Sequence, residues 1–156
     1  MSSLTIFPNF KLFLASALAL TAAGILQQLP FLDLLVIKPH LSLAVLVAIA
    51  FLFDVFWVYL IMGFIAVWTA TIHTSMVYIT VMYLIAATTI FFNKSYLVWR
   101  VSMNVIIMAS CATLGWYLAT NYAYVARAPQ WIALEMLENS IIALISFRVL
   151  RLFKSV

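Results

Sequence analysis

The feature that most constrains the fold is an almost continuously apolar stretch of 52 residues, from Leu41 to Phe92. As one helix it would be about 78 Å long, whereas the hydrocarbon core of a bilayer is about 30 Å thick. The stretch must therefore turn, and polar residues at Asp54 and at 71–75 mark the two turns. Three short helical spans result, near 41–53, 55–72 and 75–92.

Three further apolar segments complete the predicted set of spans. They run from Phe10 to Leu29, from Val98 to Thr120 and from Gln130 to Phe147. Only 8% of the 156 residues are charged, whereas soluble domains carry about 25%. Because the chain has too few polar side chains to cover a water-facing surface, we predict a single integral membrane domain over 1–156. Its fold class is all-α, a polytopic membrane helix bundle of about six transmembrane helices.

The cations predict the orientation of these helices. With six crossings and cytoplasmic N- and C-termini, Lys38 and Arg127 lie outside and the other six cations lie inside. Five crossings would invert this bias, so the positive-inside rule favours six. The span at 41–53 is only about 20 Å long as a helix, and the sequence leaves open whether it crosses fully or inserts partially.

The net charge of +4 is explained by contact with a lipid bilayer rather than with nucleic acid. Cations that lie between apolar spans orient the helices and meet anionic head groups. We expect four of them to anchor the bundle in the membrane, namely Arg100, Arg148, Arg151 and Lys154.

Small residues recur every four positions in the first span, at Ala15, Ala19 and Ala23. Such a strip lets two helix backbones approach closely in a lipid environment. Two interpretations stay open: the strip packs inside the bundle, or it docks a partner protein. The fifth span carries a similar strip, formed by Ala112, Gly115 and Ala119.

Three polar residues near the start of the last span are candidates for a polar site: Glu135, Glu138 and Asn139. Glu135 and Asn139 are four residues apart and share a helix face, and Glu138 neighbours both. Polar residues inside a membrane helix normally face the bundle or a water-filled pocket. The sequence leaves three interpretations open, which are caps at the interface, hydrogen bonds within the bundle, and contact with a partner or ligand.

No arrangement of residues in the sequence indicates catalysis. The chain has no Gly-rich phosphate loop, no H-E-x-x-H and no G-x-S-x-G motif. Its two histidines and its single cysteine, Cys111, lie far apart, which argues against a metal site. Asp54 is expected to be a solvated cap, and a relay to His73 is not expected because successive turns lie on opposite sides of the membrane. We therefore expect a protein without enzyme activity, metal or cofactor.

Two segments give the chain a resemblance to a known family. The first connection reads Ile25-Leu26-Gln27-Gln28-Leu29-Pro30, then Asp33, then Ile37-Lys38-Pro39-His40-Leu41, and the last span joins Glu138-Asn139 to a basic end that starts at Arg148. With the chain length and the six-span pattern, these features resemble MreD, the small polytopic membrane protein of the bacterial rod-shape machinery.

The resemblance to MreD implies a non-enzymatic scaffold in the bacterial cytoplasmic (inner) membrane. MreD-like proteins associate with MreC, a single-span protein, and so link peptidoglycan synthesis to the cytoplasmic MreB filament. We therefore expect an MreC-like partner and the cell-wall elongation machinery. The candidate partner-binding residues are Ala15, Ala19, Ala23, Lys38, Pro39, His40, Glu135, Glu138 and Asn139.

A second family also matches the size and the number of spans. The chain resembles the substrate-binding S component of energy-coupling-factor (ECF) vitamin transporters, whose first helix carries an A-x-x-x-A docking pattern. Ala15, Ala19 and Ala23 match that pattern. The polar residues that would line a vitamin pocket are few in this sequence, so the scaffold hypothesis is the preferred one.

Overall fold

The structure, a computed structural model, describes residues 9–29, 39–70 and 76–154. Every regular element in these ranges is helical, as the sequence predicts. A 3₁₀ turn, Lys94–Tyr96, follows the fourth helix. The α-helices are α1 (Phe10–Gln27), α2 (Leu41–Ala50), α3 (Phe56–Ala70), α4 (Met76–Asn93), α5 (Val101–Thr120), α6 (Tyr122–Arg127) and α7 (Pro129–Arg151).

Several helix boundaries differ from the sequence prediction, most clearly in the part of the chain after α5. The connection after α5 contains the short helix α6, which begins where the Asn121 side chain accepts a hydrogen bond from the Tyr124 backbone N–H. Asparagine is a preferred N-cap because its oxygen pairs with a free backbone donor. Helix α7 continues past Phe147 to Arg151, since no glycine or proline follows to end it. The predicted turn at Asp54 is confirmed between α2 and α3, and the turn at 71–75 lies outside the described residues.

The six longer helices alternate in direction along the chain. Helices α5 and α7 are antiparallel neighbours, because the hydroxyls of Ser110 and Ser140 lie 2.9 Å apart and Tyr117 bonds Glu135. We call the end with His40 the histidine end; it holds the end of α1 and the starts of α2 and α7. We call the opposite end, with Lys94, the lysine end.

Helix α2 lies at the centre of the bundle. Nine of its ten residues are buried, and it packs against α1, α3, α4, α5 and α7. A helix that is apolar on all sides is stable only when it is surrounded by other elements. At about 15 Å it is much shorter than its neighbours. The span that the sequence left uncertain is thus a fully enclosed helix that does not by itself match a bilayer core.

Both ends of α2 are hydrogen-bonded by side chains from other parts of the bundle. At the histidine end, Gln27 Oε1 accepts the Ser42 backbone N–H at 3.1 Å. At the lysine end, Lys94 Nζ donates to the carbonyl oxygens of Ala50 and Phe53, at 2.6 and 2.5 Å. Lys154 Nζ donates to the Leu52 carbonyl at 3.0 Å. Cations at a helix C-terminus also oppose the partial negative charge of the helix dipole.

The Lys94 side chain is half-buried. Burial lowers the pKa of the Lys94 amine below its ordinary value, and the Asp54 carboxylate opposes that shift while Lys154 adds to it. Asp54 itself is exposed, as the sequence predicts for a solvated cap, and lies 3.8 Å from Lys154 Nζ. Lys94 Nζ also lies 4.0 Å from the centre of the Phe91 ring, where a cation–π interaction stabilises it.

The outer faces of the long helices expose large apolar side chains. On α7 the exposed positions form one stripe, and α3 presents tryptophan and phenylalanine side chains outward. Two helices in the described part of the chain, α1 and α5, are long and apolar enough to cross a membrane. The exposed apolar residues of α3 and α7 include Trp57, Phe64, Trp68, Leu137, Ile141 and Ile145.

Helices α1 and α3 are in close contact at Gly24, which is buried. A Cβ atom at Gly24 would collide with the Thr69 side chain. We expect Gly24→Ala to lower the free energy of unfolding by about 1–3 kcal/mol, because an overpacked contact forces the helices apart. The measurement is thermal unfolding of the purified protein in detergent.

Gly115→Ala is the matched control for this substitution, since nothing lies within 4 Å of a Cβ atom at Gly115. It should be neutral or raise stability by up to about 1 kcal/mol, the helix preference of alanine over glycine. Equal melting temperatures for Gly24→Ala and Gly115→Ala would refute the close approach of α1 and α3.

Candidate functional site

Polar side chains from four helices meet at the histidine end of the bundle. They come from the last turn of α1, the start of α2, the second half of α5 and the first half of α7. We call this group the polar layer. Its members are Gln27, His40, Thr113, Tyr117, Glu135 and Asn139.

Glu135 is the centre of the polar layer. Glu135 is only 4% exposed. The Tyr117 hydroxyl donates a hydrogen bond to the Oε2 atom of Glu135. His40 Nε2 lies 4.0 Å from its Oε1 atom. That separation is longer than a hydrogen bond but within range of electrostatic attraction in a dry interior. Pro129 begins α7, so Glu135 lies nearly two turns into the helix, past the position of a cap.

His40 precedes the first residue of α2 and joins α1 to the layer. Its Nδ1 atom lies 3.3 Å from the side-chain nitrogen of Gln27. An amide nitrogen can only donate, so Nδ1 is the acceptor and the Nε2 atom of a neutral His40 carries the proton. Nε2 is also the nitrogen nearest Glu135. The ring of His40 packs against those of Trp116 and Tyr117, with centroids 5.4 and 6.1 Å away.

A second set of hydrogen bonds continues the polar layer down the α5–α7 interface. Asn139 Nδ2 donates to Thr113 Oγ1 at 2.9 Å, and Thr113 donates in turn to the Ala109 carbonyl at 2.9 Å. Farther along, Ser140 and Ser110 bond across the same pair of helices. Such bonds hold two apolar helices in one register.

Several oxygens in this region are buried without a hydrogen-bond partner in the described part of the chain. They are Glu135 Oε1, Glu138 Oε2 and Asn139 Oδ1, all on α7. All three are acceptors, so this region can accept further hydrogen bonds. A buried acceptor that stays unpaired costs about 1–3 kcal/mol. Among the described residues no three His, Cys, Asp or Glu side chains gather as possible metal ligands.

The structure separates the interpretations that the sequence left open for α7. Glu135 and Asn139 face the bundle and bond its own helices, which supports hydrogen bonding within the bundle over caps at the interface. Glu138 is half-buried beside them. His40 joins the same layer, and Pro39 is buried next to it. Lys38 lies outside the described residues, and partner contact at any of these positions stays a prediction.

The alanine strip of α1 is turned toward the core. Ala23 is buried, and Ala15 and Ala19 pack against the core as half-buried residues. The described contacts of this strip therefore fit the packing interpretation, and docking of a partner there is still untested.

The four predicted anchors all lie at the lysine end. Arg100 is the residue before α5, Arg148 and Arg151 lie in the last turns of α7, and Lys154 follows that helix. All four are exposed, and Lys154 also bonds the end of α2.

Three members of the polar layer were not predicted from the sequence. Thr113 and Tyr117 are four residues apart on α5, a spacing that places both on the face toward α7. Gln27 is an amide at the end of an otherwise apolar helix, just before Pro30. The spacing on α5 and the position of Gln27 are visible in the sequence, but only the packing of α1, α2, α5 and α7 shows that these side chains meet.

The polar layer links four helices through contacts between their side chains. It contains an acid, an imidazole and a phenol, and each of them contacts another side chain of the layer. Comparison of the chain with protein-family models, curated proteins and solved structures finds no match. The function is therefore argued from the geometry and from the residues that the sequence analysis singled out.

The substitution Glu135→Ala tests whether the polar layer stabilises the bundle. We expect it to lower the free energy of unfolding by about 1–3 kcal/mol, because the Tyr117 hydroxyl loses its acceptor. Glu138→Ala is the matched control and should cost less, since Glu138 Oε2 has no hydrogen bond to lose.

A double-mutant cycle with Tyr117→Phe makes this test specific. In the Glu135→Ala background, Tyr117→Phe should cost clearly less than it does alone, because the two residues share one bond. Additive losses of stability, measured by thermal unfolding in detergent, would show that the Tyr117–Glu135 bond is not formed.

Proposed function

We propose that this chain is a multi-pass protein of a bacterial cytoplasmic membrane, in which six helices, α1 to α5 and α7, form one bilayer-spanning bundle with the short α2 enclosed at its centre. The support is the apolar outer surface. Exposed side chains on α7 recur at helical spacing, at Leu134, Leu137, Ile141 and Ile145, and Trp68 on α3 is 79% exposed. In water such a continuous apolar surface would drive aggregation, whereas lipid covers it without cost.

The positions of the cations support cytoplasmic N- and C-termini. The start of α1 lies at the lysine end, because Asn9 Nδ2 donates to the Phe153 carbonyl after α7. The same end holds six of the eight cations of the chain, and Arg127 on α6 lies at the other. The positive-inside rule then places the lysine end in the cytoplasm. The six are Lys11, Lys94, Arg100, Arg148, Arg151 and Lys154.

Within that membrane, the proposed function is that of a scaffold subunit in the cell-shape and cell-wall elongation machinery. It would bind an MreC-like single-span partner without catalysing a reaction. The observation that carries this proposal is an apolar groove of about 440 Å³ between α4 and α5. Its lining includes the small-residue strip of α5, which is Ala112, Gly115 and Ala119, and also Ala86 of α4.

The shape of the α4–α5 groove suits one transmembrane helix. From Ile107 to Ala119 it follows α5 for about 18 Å. Small residues allow a second helix to approach closely, and in lipid such close packing is a main source of helix association. The strip on α5, and not the inward-facing strip on α1, is thus the exposed strip that fits a partner helix. Tyr96 and Leu97 border the groove at the lysine end.

Co-purification with an MreC-like single-span protein tests the scaffold proposal. Gly115→Leu would fill the groove, and we expect it to reduce recovery of the partner by about tenfold or more, the effect of losing roughly 1.4 kcal/mol of binding. Ala22→Leu on the exposed face of α1 is the matched control and should leave recovery unchanged. Undiminished recovery with Gly115→Leu would exclude the groove as the contact, and no recovery with the unaltered chain would contradict the scaffold function.

The second candidate function is that of an ECF substrate-binding component. It is favoured by one observation, the unpaired acceptors of the polar layer at the histidine end, which is the outer end in the proposed topology. Vitamin binding at nanomolar affinity, or capture of an ABC-type energizing module in place of an MreC-like protein, would decide for it.

A further inference from the structure

A second groove lies at the lysine end, between the first turn of α5 and the last turns of α7. It has a volume of about 520 Å³, and we call it the basic groove. Its lining residues are Ser102, Phe147, Arg148, Val149, Arg151 and Leu152. Two guanidinium groups and a hydroxyl therefore share one concave surface with apolar side chains.

The arginines of the basic groove are not neutralised by carboxylates in the described part of the chain. Arg148 and Arg151 are exposed and three residues apart, so both reach the same side of α7. The described acidic residue at this end is Asp54, and it lies beside Lys154. Guanidinium groups bind phosphate oxygens through paired hydrogen bonds, which makes arginine a preferred residue for phosphate recognition.

The facing wall adds donors to those of the arginines. Ser102 contributes a hydroxyl in the first turn of α5. That turn contains no acidic residue, and the side chain of the preceding Arg100 makes no capping bond. Its free backbone N–H groups therefore carry partial positive charge at the same end of the bundle.

The apolar part of the groove indicates which phosphate compound fits. Val149 and Leu152 are exposed in the groove wall, and the stripe of Ile141 and Ile145 continues from them along α7. A ligand with a phosphate at the arginines and hydrocarbon along α7 would satisfy both surfaces. Basic pockets between helices on the cytoplasmic side of a membrane are known to hold anionic lipid head groups.

We propose that the basic groove binds the phosphate group of an anionic phospholipid in the cytoplasmic leaflet. This inference rests on the membrane placement proposed above and is independent of the partner protein. The lipid would join the start of α5 to the end of α7 at the point where α7 extends beyond its predicted span.

The test is a lipid titration of the full chain, purified in a neutral detergent and followed by its melting temperature. Ligands that bind only the folded protein raise its stability in proportion to occupancy. Phosphatidylglycerol in mixed micelles should raise the melting temperature in a saturable way, and phosphatidylcholine at the same concentration should not. A shift with inorganic phosphate equal to that with phosphatidylglycerol would identify a free-phosphate site and overturn the lipid assignment.

Substitutions distinguish the groove from general charge attraction. Arg148→Gln with Arg151→Gln should raise the phosphatidylglycerol concentration at half effect by about thirtyfold, since each cation near the surface contributes about fivefold. Lys11→Gln with Arg127→Gln removes the same charge elsewhere and should change that concentration by less than about threefold.

A charge-conserving variant keeps the test decisive. Arg148→Lys with Arg151→Lys retains both charges and loses the forked geometry, so its half-effect concentration should lie between those of the other two. Equal responses of the glutamine pair in the groove and the control pair would overturn the proposal. That outcome would leave membrane placement and partner capture unaffected, so the two proposals can fail separately.

Discussion

The structure depends on one constraint, the hydrogen bonding of the two ends of α2 inside the bundle. Helix α2 has only ten residues and is surrounded by longer helices, so its free N–H and C=O groups lie inside the bundle. Buried backbone groups that stay unpaired each cost about 1–3 kcal/mol. Side chains from other segments therefore bond the backbone groups at the ends of α2. They are Gln27 at one end, and Lys94 and Lys154 at the other. The longer helices are arranged so that these three side chains reach it.

The same arrangement brings polar side chains together at both ends of α2. The polar layer begins at the start of α2 and joins α1, α5 and α7 around Glu135, and the two lysines at the other end tie α2 to the segments after α4 and α7. Among the described residues, one apolar and one basic concave surface lie on the outside. The proposed functions therefore concern contact with neighbours in the membrane and not chemistry in the interior.

Much of the fold was predictable from sequence because apolar length and charge position are local properties. The stretch from Leu41 to Phe92 had to turn, and Asp54 marks one turn correctly. The central position of α2 was not predictable, since its uniform hydrophobicity has no preferred face. Lys94 was predicted only as a cytoplasmic charge, because nothing local shows that its side chain reaches back to Ala50. For the site, Glu135 and Asn139 were found by spacing, whereas Tyr117 and Gln27 became visible only through packing.

Hydrogen–deuterium exchange of the protein in lipid nanodiscs tests the central claim most directly. Backbone amides in central, hydrogen-bonded helices exchange slowest because they open only with large-scale unfolding. The account predicts that the amides of 44–50 are among the slowest of the chain, and that Lys94→Met accelerates exchange in α2 while Lys11→Met leaves it unchanged. Exchange in α2 as fast as in the connecting segments, or no response to Lys94→Met, would contradict it.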